Sequence, residues 1–259
     1  MLRALLAAGI LLGAWHAFGQ TGTPRPEFEV ASIKLNESSD PRIMVVPAQG
    51  GRFTATNIPF QYLIDLAYRV KDFQLAGAPP WFLSDRYDLA AKAEGNPSFE
   101  EMLPMLQTLF EDRLQFKFHR ETKELPVYGL VVAKAGKLHE SQAECGSCRF
   151  MILPGHLSGQ KAMISQLVDS LSRLTSRVVL DKTNLTGKYD INLDYTPEQG
   201  QFQGPPGGAP PGLPPLPPTD PNGPSLFTAL QEQLGLKLES QKGPVEMLVI
   251  DHVERPSEN

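Results

Sequence analysis

The residues best equipped for chemistry are Cys145-Gly146-Ser147-Cys148, the two cysteines of a 259-residue chain. Two thiols at this spacing support three kinds of chemistry. In an oxidising compartment they close a small disulfide loop. As a thioredoxin-like redox pair, the first thiol needs a helix N-terminus to lower its pKa, but the residues that follow, Arg149-Phe150-Met151-Ile152-Leu153-Pro154, read as a strand. With His139 and His156 the thiols offer zinc-type ligands, at a spacing that matches no common zinc pattern. The disulfide is the expected state, and neither a metal nor a cofactor is expected.

Other chemistry is thin. His119 and His252 stand apart from the rest, and His16 lies in an apolar leader. The sequence holds no G-x-S-x-G elbow, no H-E-x-x-H and no glycine-rich phosphate loop after a strand. Asp88 and Asp190 resemble a carboxylate pair, yet each follows a tyrosine at the same place in a repeat, which predicts a turn-capping role for both. No residue is predicted to be catalytic. Pro80-Trp81-Phe82, in a proline-stiffened loop, is the predicted binding element; it offers an aromatic anchor to a partner or folds over the core.

The elements that carry these residues occur twice. Arg52 to Thr56 alternates like a half-buried strand. Asn57 is positioned to cap a helix whose apolar stripe is Phe60, Leu63, Ile64, Ala67 and Tyr68. A short strand, a second strand at Tyr87 to Lys92 and a helix opened by Ser98 and Glu101 follow. Pro104 predicts a late start or a bend in that helix. Gln115 to Glu121 and Val127 to Ala133 then read as a hairpin turning near Pro126. A shortened copy returns: a helix through Leu167 to Leu174, strands at Arg177 to Leu180 and Lys188 to Ile191, a helix from Ser225, and strands at Leu234 to Leu238 and Val245 to Val249. Repeated element order over such a span predicts a duplicated architecture.

The fold class expected is α+β, two β-α-β-β-α-β-β units with helices packed on small mixed sheets. The expected organisation is a signal peptide over 1–19, a first repeat with extra N-terminal strands over 20–134, a cysteine-bearing linker over 135–159 and a second repeat over 160–259. A disordered Pro/Gly-rich loop over 196–224 interrupts the second repeat; ten of the chain's 24 prolines lie between Pro205 and Pro224.

The leader carries Arg3, an apolar run from Ala4 to Trp15 and Ala17-Phe18-Gly19, which predicts export to the periplasm or beyond. The run is too short for a comfortable membrane span, and no later stretch is apolar enough for one. The net charge of -5 comes without a basic block, which argues against a nucleic-acid partner.

Phe28-Glu29-Val30-Ala31-Ser32-Ile33-Lys34, Gly77-Ala78-Pro79-Pro80-Trp81, Tyr128 to Val132 and the terminal run from Val249 to Asn259 resemble a family of exported bacterial proteins of unknown function. That family is expanded in soil acidobacteria such as Solibacter, with related domains attached to BlaR-type membrane metalloproteases. Each repeat is also similar in element order to the short N-terminal domain of secretins and TonB-dependent receptors, most clearly at Ser225 to Leu230 and Leu234 to Leu236. The resemblance implies a fold and a location and brings no catalytic residues. The function expected is an exported cell-envelope module that recognises a peptide or protein. A thiol enzyme using Cys145 and Cys148, and a sensor partner of a membrane protease or transporter, are the alternatives.

Overall fold

The computed structural model describes residues 25–38, 40, 42–142, 150–197 and 222–257. The leader, both cysteines and most of the proline-rich segment lie outside them, so the disulfide, export and loop expectations concern residues not described here.

Three short strands begin the described chain: β1 (Val30–Leu35), β2 (Met44–Gln49) and β3 (Arg52–Pro59). Helix α1 (Phe60–Tyr68) then buries the five residues of its predicted stripe. A 3₁₀ turn (Asp72–Gln74), β4 (Leu75–Ala76), α2 (Trp81–Ser84) and β5 (Arg86–Lys92) lead to α3 (Phe99–Leu114), the longest helix described, and to β6 (Lys117–Val132). After β7 (His139–Glu140) and β8 (Phe150–Leu153), the pattern restarts. It runs through β9 (His156–Met163), α4 (Ile164–Thr175), β10 (Val179–Asp181), β11 (Lys188–Asp194), α5 (Leu226–Ala229) with one π turn (Leu230–Leu234), and β12 (Leu236–His252). The fold is α+β, with few helices on small sheets.

These strands make three four-stranded sheets. The first, ordered β1-β5-β3-β2, and the last, ordered β7-β11-β9-β8, are antiparallel; the central one, β10-β6-β12-β4, is mixed. The predicted hairpins near Pro126 and Pro244 are absent, because β6 and β12 each run straight through and pair with one another from Leu236↔Val132 to His252↔Lys117. Each proline falls where its strand has β6 or β12 on one side only: β10 joins β6 from Tyr128 onward, and β4 joins β12 at Leu248. There a missing N–H costs no ladder bond.

The central sheet exchanges its strands between repeats. β10 of the second repeat runs parallel to β6 of the first, and β4 of the first runs parallel to β12 of the second. The cores follow suit. Leu248 of β12 is fully buried in the core of β3, α1, α2, β5 and α3, with Ile250 packed against it. Its repeat counterpart on β6, Leu130, is fully buried in the core of β9, α4, β11 and α5. A third, smaller cluster of Val127, Val245 and Met247 occupies the opposite face of the central sheet.

Local departures from the sequence reading have simple causes. Asn57 does not cap α1; Pro59 stands at that position, and Asn57 sits two residues earlier with φ 53°. Helix α3 starts on time, with Ser98 and Glu101 forming the predicted reciprocal cap, Ser98 N–H donating to Glu101 Oε2 at 2.7 Å. Pro104 lies inside α3 on its exposed side, where water can satisfy the carbonyl that loses its donor.

Candidate binding surfaces

Asp88 and Asp190 are the first carboxylates to place. In each repeat the strand before the first helix carries a one-residue bulge whose extra residue is left-handed: Asn57 at φ 53° and Lys161 at φ 50°. Asp88 Oδ1 accepts the Asn57 backbone N–H at 2.9 Å and the Asn36 side-chain amide at 2.7 Å. Asp190 Oδ1 accepts the Lys161 N–H at 3.4 Å. The Asn57 side chain in turn donates to the carbonyls of Asp40 and Arg42. Both aspartates therefore hold bulges, and they sit in different sheets.

Trp81 and Phe82 lie within the first core. Phe82 is fully buried and Trp81 is 9% exposed, while Pro80 stays at the surface. The Trp81 ring packs 4.6 Å from Phe82, 5.5 Å from Phe60 and 6.0 Å from Tyr87, centroid to centroid. Its outer face carries the Arg255 guanidinium 5.9 Å above the ring. Arg255 also reaches Asp85 at 3.1 Å. The aromatic pair is thus a platform that positions Arg255.

Arg255 forms one wall of an open cleft of about 450 Å³, which Ile33, Leu35 and Tyr87 floor and Lys34, Glu37 and Asp85 rim. The cleft has two cations and two carboxylates, with no cysteine or histidine on its walls. Burial and the nearby Asp85 push the Tyr87 hydroxyl above its ordinary pKa, so it stays protonated and can donate. Such a lining suits binding rather than bond-making. It lies beside β1, an edge strand.

A second surface is made twice. β2 and β8 are the outer strands of their sheets, paired only to β3 and β9. They occupy the same place in the two repeats. Their sequences also correspond: Arg42-Ile43-Met44-Val45-Val46-Pro47 against Arg149-Phe150-Met151-Ile152-Leu153-Pro154. The duplication therefore begins upstream of Arg52, and the shared R-x-M-x-x-P spacing would have revealed this. Met44 is 55% exposed, Val46 43% and Met151 43%. Neither Met44–Gln49 nor Phe150–Leu153 contains a charge. Natural sheet edges are ordinarily blunted with charge, so two matching uncharged edges stand out.

The histidines remain dispersed. His119 meets Asp251 at 2.9 Å, His156 meets Asp194 at 2.6 Å, His252 meets Glu254 at 3.1 Å, and His139 lies exposed on β7. Among the described residues no three His, Cys, Asp or Glu side chains are grouped to hold a metal. No helix there is long and apolar enough to cross a membrane.

No curated protein and no solved structure matches the chain. Residues 61–253 match a family described as a protein of unknown function, DUF3738. That span opens within α1 and closes just past β12, taking in both cores and the exchanged central sheet; the chain belongs to the DUF3738 family.

Proposed function

We propose that the protein is a non-catalytic recognition module of the cell envelope that binds extended polypeptide by strand addition at β2 and β8. The observation that carries this reading is the duplicated, uncharged edge with its repeated methionine. An edge strand offers a row of backbone donors and acceptors, which supply affinity to any extended chain. Side chains at alternate positions supply selectivity; here these are Met44 with Val46, and Met151 with Leu153. Methionine adapts to varied apolar partners. The apolar leader with its single arginine supports an exported location.

The test is selection of unstructured peptides displayed against the purified chain, followed by amide-shift mapping. Strand addition requires shifts concentrated at 43–46 and 150–153, and weaker binding by about tenfold or more when Val46 or Met151 is replaced by lysine, an edge-blocking residue. Peptides that bind and map elsewhere would refute it.

The cleft under Arg255 supports a second reading, because it joins a peptide-sized opening to the edge of β1. In that case Trp81 contributes by holding Arg255. Trp81→Leu would then weaken binding while Val46→Lys would leave it unchanged.

A further inference from the structure

One buried ionisable group takes no part in either surface. Asp65 lies on α1, facing the junction between the two repeats, and its Oδ1 is buried without a hydrogen-bond partner among the described residues. Its surroundings are poor in compensation. Asp72, in the following 3₁₀ turn, adds a like charge, and Arg173 of α4, across the junction, is the cation that opposes it. Lys71 is engaged elsewhere, 2.8 Å from Asp169 of α4, and Arg173 itself is bonded to Asp169 at 3.2 Å. From α3, Glu100 takes Arg69, and Glu111 holds Arg25. From the central sheet, Arg120 is paired with Glu246 while touching the Tyr68 carbonyl. Every nearby cation is thus committed to another carboxylate.

The repeat supplies the control. Asp65-Leu66-Ala67-Tyr68-Arg69 and Asp169-Ser170-Leu171-Ser172-Arg173 occupy the same turns of α1 and α4. Asp169 receives Lys71 from the other repeat. The residue of the second repeat that corresponds to Lys71 is Thr175, whose hydroxyl donates to the Leu171 carbonyl of its own helix. Asp65 is therefore the half of a two-fold pair whose lysine is missing.

We propose that the junction between the repeats is a pH-sensitive latch set by Asp65: it holds while Asp65 is protonated and loosens when the carboxyl ionises. A buried carboxylate with no partner is costly, and the cheapest relief is for α1 to part from α4 and admit water. Burial, with Asp72 adding, pushes the Asp65 carboxyl up to about 7, within the range that an envelope protein meets. The folded form holds its proton more tightly than the unfolded chain does. The latch is thus strongest in acid, weakens as pH rises toward 7 and changes little beyond.

Carbon-13 titration of the Asp65 carboxyl in the whole protein, beside hydrogen exchange of α1 and α4 corrected for the intrinsic rate, tests the latch. The expected result is a midpoint near 7 and opening that increases about tenfold or more between pH 5 and 8. Asp65→Asn abolishes that increase. If Asp65→Asn does not fold, Arg173→Gln serves instead, since it raises the midpoint and must move the onset of opening with it. A midpoint below 5, an Asp65→Asn protein that still opens with rising pH, or an onset that ignores Arg173→Gln overturns the proposal.

Discussion

Asp65 and Asp169 stand at one position in two copies of the same helix, yet their carboxyls behave oppositely. Burial disfavours the charge of both. For Asp169 the hydrogen bond and charge of Lys71, with Arg173, outweigh burial and hold the carboxyl below the ordinary range. For Asp65 nothing equivalent arrives, and it stays high. The lesson is that duplication preserves backbone placement more faithfully than electrostatic environment. A helix position can be inherited with its repeat, whereas a partner that crosses between repeats cannot, because the crossing residue comes from the other copy.

The exchanged strands are the crossing that did survive in both directions, and their removal gives the largest expected effect. Leu248→Ala empties a site in the first core from a strand of the second repeat, and Leu130→Ala does the reverse. Each should cost about 2–5 kcal/mol, as buried leucine truncations do. Hydrogen exchange tells which half weakens. Leu248→Ala must loosen α1 and α3, which lie far from it in sequence, and Leu130→Ala must loosen α4. Separate unfolding of each repeat with only its own mutations would break the exchange account.

Next comes the pair of aspartates. At pH 8, Asp65→Asn should gain stability over the wild type by on the order of 2–4 kcal/mol, and the gain should vanish by about pH 4, where the wild-type carboxyl is neutral in both folded and unfolded states. Lys71→Met should do the opposite to the other member, costing about 1–3 kcal/mol at pH 7 by stranding a half-buried Asp169. Urea unfolding across this pH range checks both. Equal pH profiles for the two variants would show that the aspartates are equivalent after all.

How much of this could be read from sequence follows the same divide. The stripe of α1, the Ser98–Glu101 cap and the recurrence of Tyr-Asp in Tyr87-Asp88 and Tyr189-Asp190 are local patterns, visible in a few consecutive residues. The union of Gln115–Glu121 with Val127–Ala133 into one strand was not visible, because Pro126 reads locally as a break and only the partner strand shows that its missing N–H faces no neighbour. Nor was the burial of Trp81 and Phe82 decided, since a proline-rich lead-in is compatible with either fate. The edge strands were legible in part: Ile43 to Val46 reads as a strand, but its match to Phe150–Leu153 is masked by a turn five residues longer in the first repeat than in the second. Asp65 gave no signal, for its unusual state lies in what α4 fails to supply.

A smaller contrast lies at the bulges. Asp88 Oδ1 accepts two donors at 2.9 and 2.7 Å, and Asp190 accepts one at 3.4 Å. Asp88→Ala should cost about 1–3 kcal/mol and Asp190→Ala less than about 1, the difference arising from the second donor and from the buried setting of Asn57. Comparable losses at the two sites would mean that the bulge, rather than its bonds, sets the energy.

The caps give the smallest effect and the finest comparison. Both second helices start at a serine, Ser98 in α3 and Ser225 in α5. Ser98 has a reciprocal partner, Glu101, whose carboxylate accepts both the Ser98 N–H and its hydroxyl, and whose pKa the backbone bond lowers. Ser225 has only Thr228, whose N–H it accepts at 3.2 Å. Ser98→Ala should therefore cost about 1 kcal/mol, and Ser225→Ala roughly half of that, read as shifts in the urea midpoint at constant slope. The first loss should shrink as pH falls and Glu101 gains a proton, because the depressed carboxyl stabilises the cap only while charged; the second should not respond to pH. A pH-independent Ser98 loss would show that the hydroxyl alone makes the cap, and would remove the one respect in which the first repeat's helix is better begun than the second's.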